Sequence, residues 1–229
     1  VDGADGSTVM TDGTVDVWVR ETSAASGAAD IGREALDPHE RERWARLADP
    51  RDATAYLVLH VLARREIGRL VGRPPESLRF DRTCPDCGRQ HDVPRLLDDP
   101  GIHLSLSRTR SVVVLALSRS GPVGVDVDLV HATRFGGYGD VALHRDERDD
   151  DTRTFADATT WVRKEAALKA LGVGLRVDPT TFVTPTSGVP AAAVPGMPSV
   201  TVVDLDVPRP YAAAVALASP AGALRVRRH

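Results

Sequence analysis

Short runs in which apolar and polar residues alternate are interleaved, along this chain, with longer stretches of helical period. Val15 to Arg20 (VDVWVR) alternates and is rich in β-branched residues, the pattern of a strand. Asp37-Pro38 then opens HERERWARLA, with the aspartate placed to cap a helix. A second helix is predicted from about Asp52 to Val71, with Leu57, Val61, Leu62 and Leu70 as its apolar stripe and Gly72 as its stop. Residues 73–100, rich in Pro, Asp, Arg and Cys, read as loop. HLSLSRT and SVVVLALS follow as two strands joined by a tight turn near Arg110, and Arg119 to Pro122 (RSGP) is a break.

The order then recurs. Gly124 to Val130 (GVDVDLV) reads as a strand, His144 to Asp157 is acidic and polar, and a helix runs from about Ala158 to Leu171, with Gly172 and Gly174 as stops. VTVVDLDV and YAAAVALAS are two more strands, the last close in character to SVVVLALS. Strand, helix, strand, strand thus occurs twice, about 100 residues apart. The repeat predicts an α+β fold of two similar halves with a ligand cleft between them. The expected division is a disordered lead over 1–14, an N-terminal subdomain over 15–120 and a C-terminal subdomain over 121–229.

Composition narrows the function classes. At 229 residues, 42% hydrophobic, the chain can bury one large core or two small ones. A net charge of -3 provides no basic field for nucleic acid. No apolar run approaches the roughly 20 residues of a membrane span. The start, VDGADGSTVMTDG, lacks the basic and apolar regions of a secretion signal, and two cysteines are too few for a disulfide framework, so a cytoplasmic protein is expected. Of the 29 basic residues only two are lysine, Lys164 and Lys169, both in WVRKEAALK. An arginine-biased genome accounts for that, and so does a need for a cation that can release a proton.

Asp126 and Asp128 are two apart on a strand, so both carboxylates leave the same face. Either that face is solvated or the two charges share a cation. Glu165 and Lys169 are four apart on a helix and share a side with Trp161. A simple helix ion pair fits, but a tryptophan, a glutamate and a lysine in successive turns make an odd solvent face. Taken together, three carboxylates are hard oxygen ligands that suit Mg²⁺ with a substrate phosphate. Metal-assisted phosphoryl-type transfer is the chemistry this set can support, with a carboxylate as base and a lysine at the leaving group.

Gly124-Val-Asp-Val-Asp128 and Trp161-Val-Arg-Lys-Glu-Ala-Ala-Leu-Lys169, with 39 positions from Asp126 to Glu165, resemble the signature pair of the phosphopantetheinyl transferase superfamily. RERWARLADPRDA, CPDCGRQHDVPRL and HLSLSRT fit the same order upstream, so the resemblance covers nearly the whole chain, in the single-chain (Sfp-type) form. That form implies two subdomains related by pseudo-twofold symmetry, each a small antiparallel sheet with a long helix. It implies transfer of the 4′-phosphopantetheine arm of coenzyme A to a serine of an acyl or peptidyl carrier protein, releasing adenosine 3′,5′-bisphosphate, by a monomer. By position, Asp126, Asp128 and Glu165 would hold Mg²⁺, Glu165 would act as base, and Lys169 would support the leaving group. Arg43, Ser107, Arg108, Lys164 and Lys169 would contact coenzyme A, with Trp161 framing the site.

The sequence departs from the family pattern on the donor side. Ser107-Arg108-Thr109 stands where Ser-His-Ser is usual, Asp92-Val93-Pro94 where Gly-Lys-Pro is usual, and Ala55 near a usual helical arginine. The expectation is weakened or reshaped coenzyme A binding with intact chemistry; the alternative is a degenerate homologue that binds carrier or nucleotide without turnover. Cys84-Pro-Asp-Cys87 with His91 reads as a reduced loop, or as half a zinc site with His103 a conceivable fourth ligand. Gly136-Gly-Tyr-Gly139 lacks a phosphate loop's lysine and reads as a mobile loop, with Phe135 and Tyr138 as carrier contacts.

Overall fold

A computed structural model describes residues 13–22, 32–133, 136–148, 154–218 and 224–229. It is a mixed α+β structure of small sheets and few helices. The elements in chain order are β1 (Thr14–Glu21), α1 (Pro38–Ala45), α2 (Pro50–Val71), β2 (Phe80–Thr83), β3 (Gln90–Leu96), β4 (His103–Arg108) and β5 (Val112–Ser118). They continue with β6 (Val123–Leu129), α3 (Tyr138–Ala142), α4 (Thr154–Ala170), β7 (Val200–Asp204), β8 (Tyr211–Ala218) and β9 (Arg225–Arg228). One sheet has the order β4-β5-β1-β9, the other β6-β8-β7, and β2 pairs with β3 alone. In each of the two larger sheets the later strand of a β-pair, β5 or β8, lies in the middle.

Four layers result, because the strands alternate. Val112, Val114 and Ala116 of β5 pack with Val15, Val17, Val125, Val127 and Val215 in a core between the two sheets. The intervening Val113, Leu115 and Leu117 face α2, with Ala55, Leu59, Ala63 and Ile67. On the other outer side α4 lies on β8 through Ala212, Ala214 and Ala216. These short side chains bring the helix close to the sheet.

The helix signals act as expected. Asp37 accepts from the Glu40 N–H at 2.8 Å, Glu40 returns the bond to the Asp37 N–H at 3.0 Å, and Pro38 sits at the first helical position. Asp49 caps α2 and Gly72, with φ 68°, ends it.

Three segments differ from the sequence reading. Residues 73–100 contain the β2–β3 hairpin, whose alternation is masked because its inward residue is charged. Arg82 is buried, held at 2.6 Å by Glu40 and 3.0 Å by Asp37, so an ion pair takes the place of an apolar contact. Tyr138 and Gly139, read as the end of a mobile loop that begins at Gly136, open the short helix α3 behind Gly137 (φ 88°). The tail Arg225–Arg228, too short and basic to register as a strand, pairs in parallel with β1 and covers its edge.

Candidate active site

The site begins with a glycine. A Cβ on Gly124 would lie 1.9 Å from the Ala166 carbonyl oxygen and 2.5 Å from the Ala170 nitrogen. Only glycine permits α4 to pass so close over β6. That approach carries Glu165 and Lys169 down to the carboxylates that β6 presents on the same face, Asp126 and Asp128, opposite Ala214 and Ala212 of β8.

Asp126 is the hub. Its Oδ1 accepts from Lys169 Nζ at 2.6 Å and from Ser107 Oγ at 2.8 Å. Lys169 also donates to the Val125 carbonyl at 3.1 Å. Ser107 in turn accepts from the Val127 N–H (3.2 Å), while Ser105 accepts from the Val125 N–H (3.0 Å). Two serine side chains of β4 thus satisfy amides on the outer edge of β6 and stitch the two sheets together.

The other two carboxylates are electrostatically uncomfortable. Burial pushes the Asp128 carboxyl above its ordinary value; the Leu129 N–H, at 2.7 Å, opposes this and the negative Asp126 adds to it. Glu165 is also pushed up, first by burial and then by Asp126, with Lys169 only partly offsetting. Its Oε1 is buried and accepts no hydrogen bond. A buried carboxylate oxygen without a donor is a costly arrangement. Three carboxylates facing one lysine leave an excess of negative charge, and they are hard oxygen donors of the kind a divalent ion takes. Among the described residues no group of three or more His, Cys, Asp or Glu side chains is arranged as a metal site.

The remaining predicted residues separate. Lys164 does not reach this cluster. It is 0% exposed, pairs with Glu147 at 2.5 Å, donates to the Ala142 (3.1 Å) and Pro179 (2.7 Å) carbonyls, and lies over the Phe182 ring. All three of its N–H donors are used in fastening loops onto α4. Ser107 has its hydroxyl committed within the site, so it positions Asp126 rather than offering a vacant donor. Arg108, next along β4, points to the opposite side, over the Tyr56 ring (5.7 Å) and 3.7 Å from Asp52. Arg43 lines a separate shallow depression with His39, Glu42, Arg46, Arg89 and Gln90. Tyr138 is not a surface tyrosine: it is buried, its hydroxyl donates to the Asp157 carbonyl at 3.0 Å, and its ring meets Trp161 edge-on at 6.4 Å. Phe135 lies outside the described residues.

Of the departures, Ala55 is buried between α2 and the sheet. Val93 is 41% exposed and lines a cavity of about 320 Å³ with Leu96, Ile102, Leu104, Val123 and Lys169. Two roles escaped the sequence reading, that of Gly124, quoted there only as the head of the aspartate motif, and that of Tyr56. Gly124 carries its own signal, as the small residue immediately before the paired aspartates. Tyr56, stacked on His60 at 4.0 Å and capped by Arg108, carries none, because its role depends on a strand 50 residues away.

No family model matches the chain. Among curated proteins, the L-aminoadipate-semialdehyde dehydrogenase-phosphopantetheinyl transferase of Mus musculus is 26% identical over 166 residues, 63% of this chain and 51% of that protein. The protein of the same name from Rattus norvegicus is 27% identical over 161 residues, 61% of this chain and 49% of its own length. The chain is similar to phosphopantetheinyl transferases. It spans about half the length of these curated phosphopantetheinyl transferases. Among the described residues no helix is long and apolar enough to cross a membrane.

Proposed function

We propose that this chain transfers the 4′-phosphopantetheine arm of coenzyme A to a serine of an acyl or peptidyl carrier protein, in the manner of a single-chain holo-carrier synthase. The observation that carries the reading is the buried, unpartnered Oε1 of Glu165 beside Asp126, Asp128 and Lys169, on the two motifs quoted above. Asp126, Asp128 and Glu165 would hold Mg²⁺, which when bound neutralises the pyrophosphate of coenzyme A and orients it.

The protein groups then divide the work. Glu165, whose carboxyl is raised above its ordinary value by burial, is suited to accept the proton of the carrier serine directly or through a water. The serine oxygen bonds to the phosphorus bearing the pantetheine arm. The bond from that phosphorus to the bridging oxygen breaks, and adenosine 3′,5′-bisphosphate leaves with the electron pair. Lys169, already within 2.6 Å of Asp126, supplies positive charge for the leaving oxygen. Arg43 and Arg108 serve the nucleotide end, and Phe135 the carrier surface. The protein is cytoplasmic and acts as a monomer in this reading. Two halves related by pseudo-twofold symmetry, divided near residue 120, would place the donor cleft between them.

A second reading is a homologue that binds carrier or nucleotide without turnover. Val93, exposed where the resemblance implies a lysine, favours it. Incubation with apo carrier domains, coenzyme A and Mg²⁺, read by intact mass, separates the two. A carrier gaining one phosphopantetheine supports transfer. No gain with carriers of fatty acid, polyketide and peptide synthases overturns it.

A further inference from the structure

The tip of the β2–β3 hairpin holds Cys84-Pro85-Asp86-Cys87, which the carboxylate site does not use. The Cys84 N–H donates to the Arg89 carbonyl at 2.8 Å, and the Gly88 N–H donates to the Cys84 carbonyl at 2.9 Å. Cys84 to Gly88 therefore form one closed five-residue turn of helical size, entered through Pro85, whose fixed φ suits the second position. On one helical turn, Cα atoms three residues apart lie about 5 Å apart. A disulfide spans roughly 4.4–6.8 Å between Cα atoms. A turn of this size brings residues three apart, here Cys84 and Cys87, to bridging range.

Both cysteines are thiols, Cys84 buried and Cys87 exposed. Their surroundings differ in the way a redox pair requires. Arg89 follows two residues after Cys87, and the Cys87 side chain is the first cause that raises the Arg89 guanidinium above its ordinary value. A cation beside an exposed sulfur is the setting that favours the thiolate, the attacking species. Cys84 Sγ lies 4.0 Å from Asp86 Oδ2, a contact that suits a protonated thiol. The same Asp86 oxygen pairs with Arg176 at 3.1 Å, tying the hairpin tip to the turn that follows α4.

We propose that Cys84 and Cys87 form a reversible dithiol–disulfide pair, with Cys87 the attacking and Cys84 the resolving thiol, taking a low-molecular-weight thiol disulfide as oxidant. The Cys87 thiolate attacks one sulfur of that disulfide, forming a mixed disulfide and expelling one thiolate. Cys84 then loses its proton and attacks the Cys87 sulfur, expelling the second thiolate. The two cysteines give up two electrons and two protons, and the oxidant is reduced to two thiols. The bridge would stiffen a tip whose outgoing strand, β3, runs on to Val93 and Leu96 in the wall of the cavity beside Lys169.

The test uses the full chain equilibrated in mixtures of reduced and oxidised glutathione, quenched in acid, labelled with a maleimide and read by intact mass. The wild type is expected to pass from two labels to none, with the unlabelled species lighter by two hydrogens. Cys84→Ser should stop at a persistent single glutathione adduct. Cys87→Ser should react at least tenfold more slowly, and Arg89→Gln roughly threefold to tenfold more slowly with an unchanged circular dichroism spectrum. Glutathione adducts on wild type without the bridged species would overturn the proposal. So would stoichiometric bound zinc with both cysteines protected until chelation, which would make them metal ligands. None of these readouts requires transferase turnover, so the result stands apart from the proposed function.

Discussion

Replacing Gly124 by alanine tests whether the close passage of α4 over β6 builds the site. The new Cβ would lie 1.9 Å from one helix backbone atom and 2.5 Å from another. Neither can rotate away, so α4 must retreat by about 1 Å or more in a close-packed interior. Overpacking of this kind costs about 1–3 kcal/mol, and backbone against backbone places it at the upper end. Glu165 and Lys169 ride on the displaced helix. A misplacement of about 1 Å costs roughly 10²-fold in rate. Urea unfolding followed by circular dichroism measures the first effect, and phosphopantetheine transfer to an apo carrier the second. Gly136→Ala is the control, because its added Cβ meets open space. If Gly124→Ala unfolded within about 0.5 kcal/mol of wild type and kept its rate, the helix-approach account of the site would be wrong.

Three further outcomes follow from the electrostatics. Glu165→Gln should abolish transfer yet raise the melting temperature of the metal-free protein. The native carboxyl is raised, so its stabilising neutral form is complete below the ordinary glutamate range and is lost as pH rises through the raised value; the gain from glutamine should therefore grow toward alkaline pH and vanish in acid, as differential scanning fluorimetry would show. Lys164→Met should lower stability by about 3 kcal/mol, by leaving Glu147 without its buried partner, while the KM for coenzyme A stays put; a selective rise in KM would return Lys164 to the donor site. Glu40→Gln should cost about 3 kcal/mol in denaturant unfolding, because Arg64, 1% exposed, and Arg82 lose one of the two carboxylates they share and keep only Asp37. Although burial pushes the Glu40 carboxyl up, the hydrogen bond and charge of His60 with the Arg64 guanidinium outweigh it and hold it at about 2, so its contribution is present above the ordinary glutamate range and lost as pH falls toward 2.

What the sequence displays is what local chemistry controls. The capping box at Asp37 and Glu40, the stop at Gly72 and the fully buried β5 all carry their cause within a few residues. The spacing of Asp126, Glu165 and Lys169 was legible for the same reason, since strand and helix periods fix which side chains share a face. The β2–β3 hairpin was hidden because Arg82 is buried by partners some 40 residues upstream. Lys164 neighbours Glu165 in sequence but leaves α4 on another side, toward Glu147 and Pro179, a direction set by partners the sequence does not display. Arg108 and Ser107 are adjacent in sequence, and the pleat sends them to opposite faces.

The serine stitch between β4 and β6 has a bearing on how the chain folds. The amides of Val125 and Val127 find their acceptors on side chains of the other sheet, so they are satisfied only when both sheets exist together. β1 reaches from one end of the chain to pair with β5, about 100 residues on, and with β9, more than 200 residues on. Such wiring makes the two sheets a single cooperative unit, whose slowest-exchanging amides should include this pair. Asp126 then gains its bond from Ser107 only when the two sheets have closed on each other.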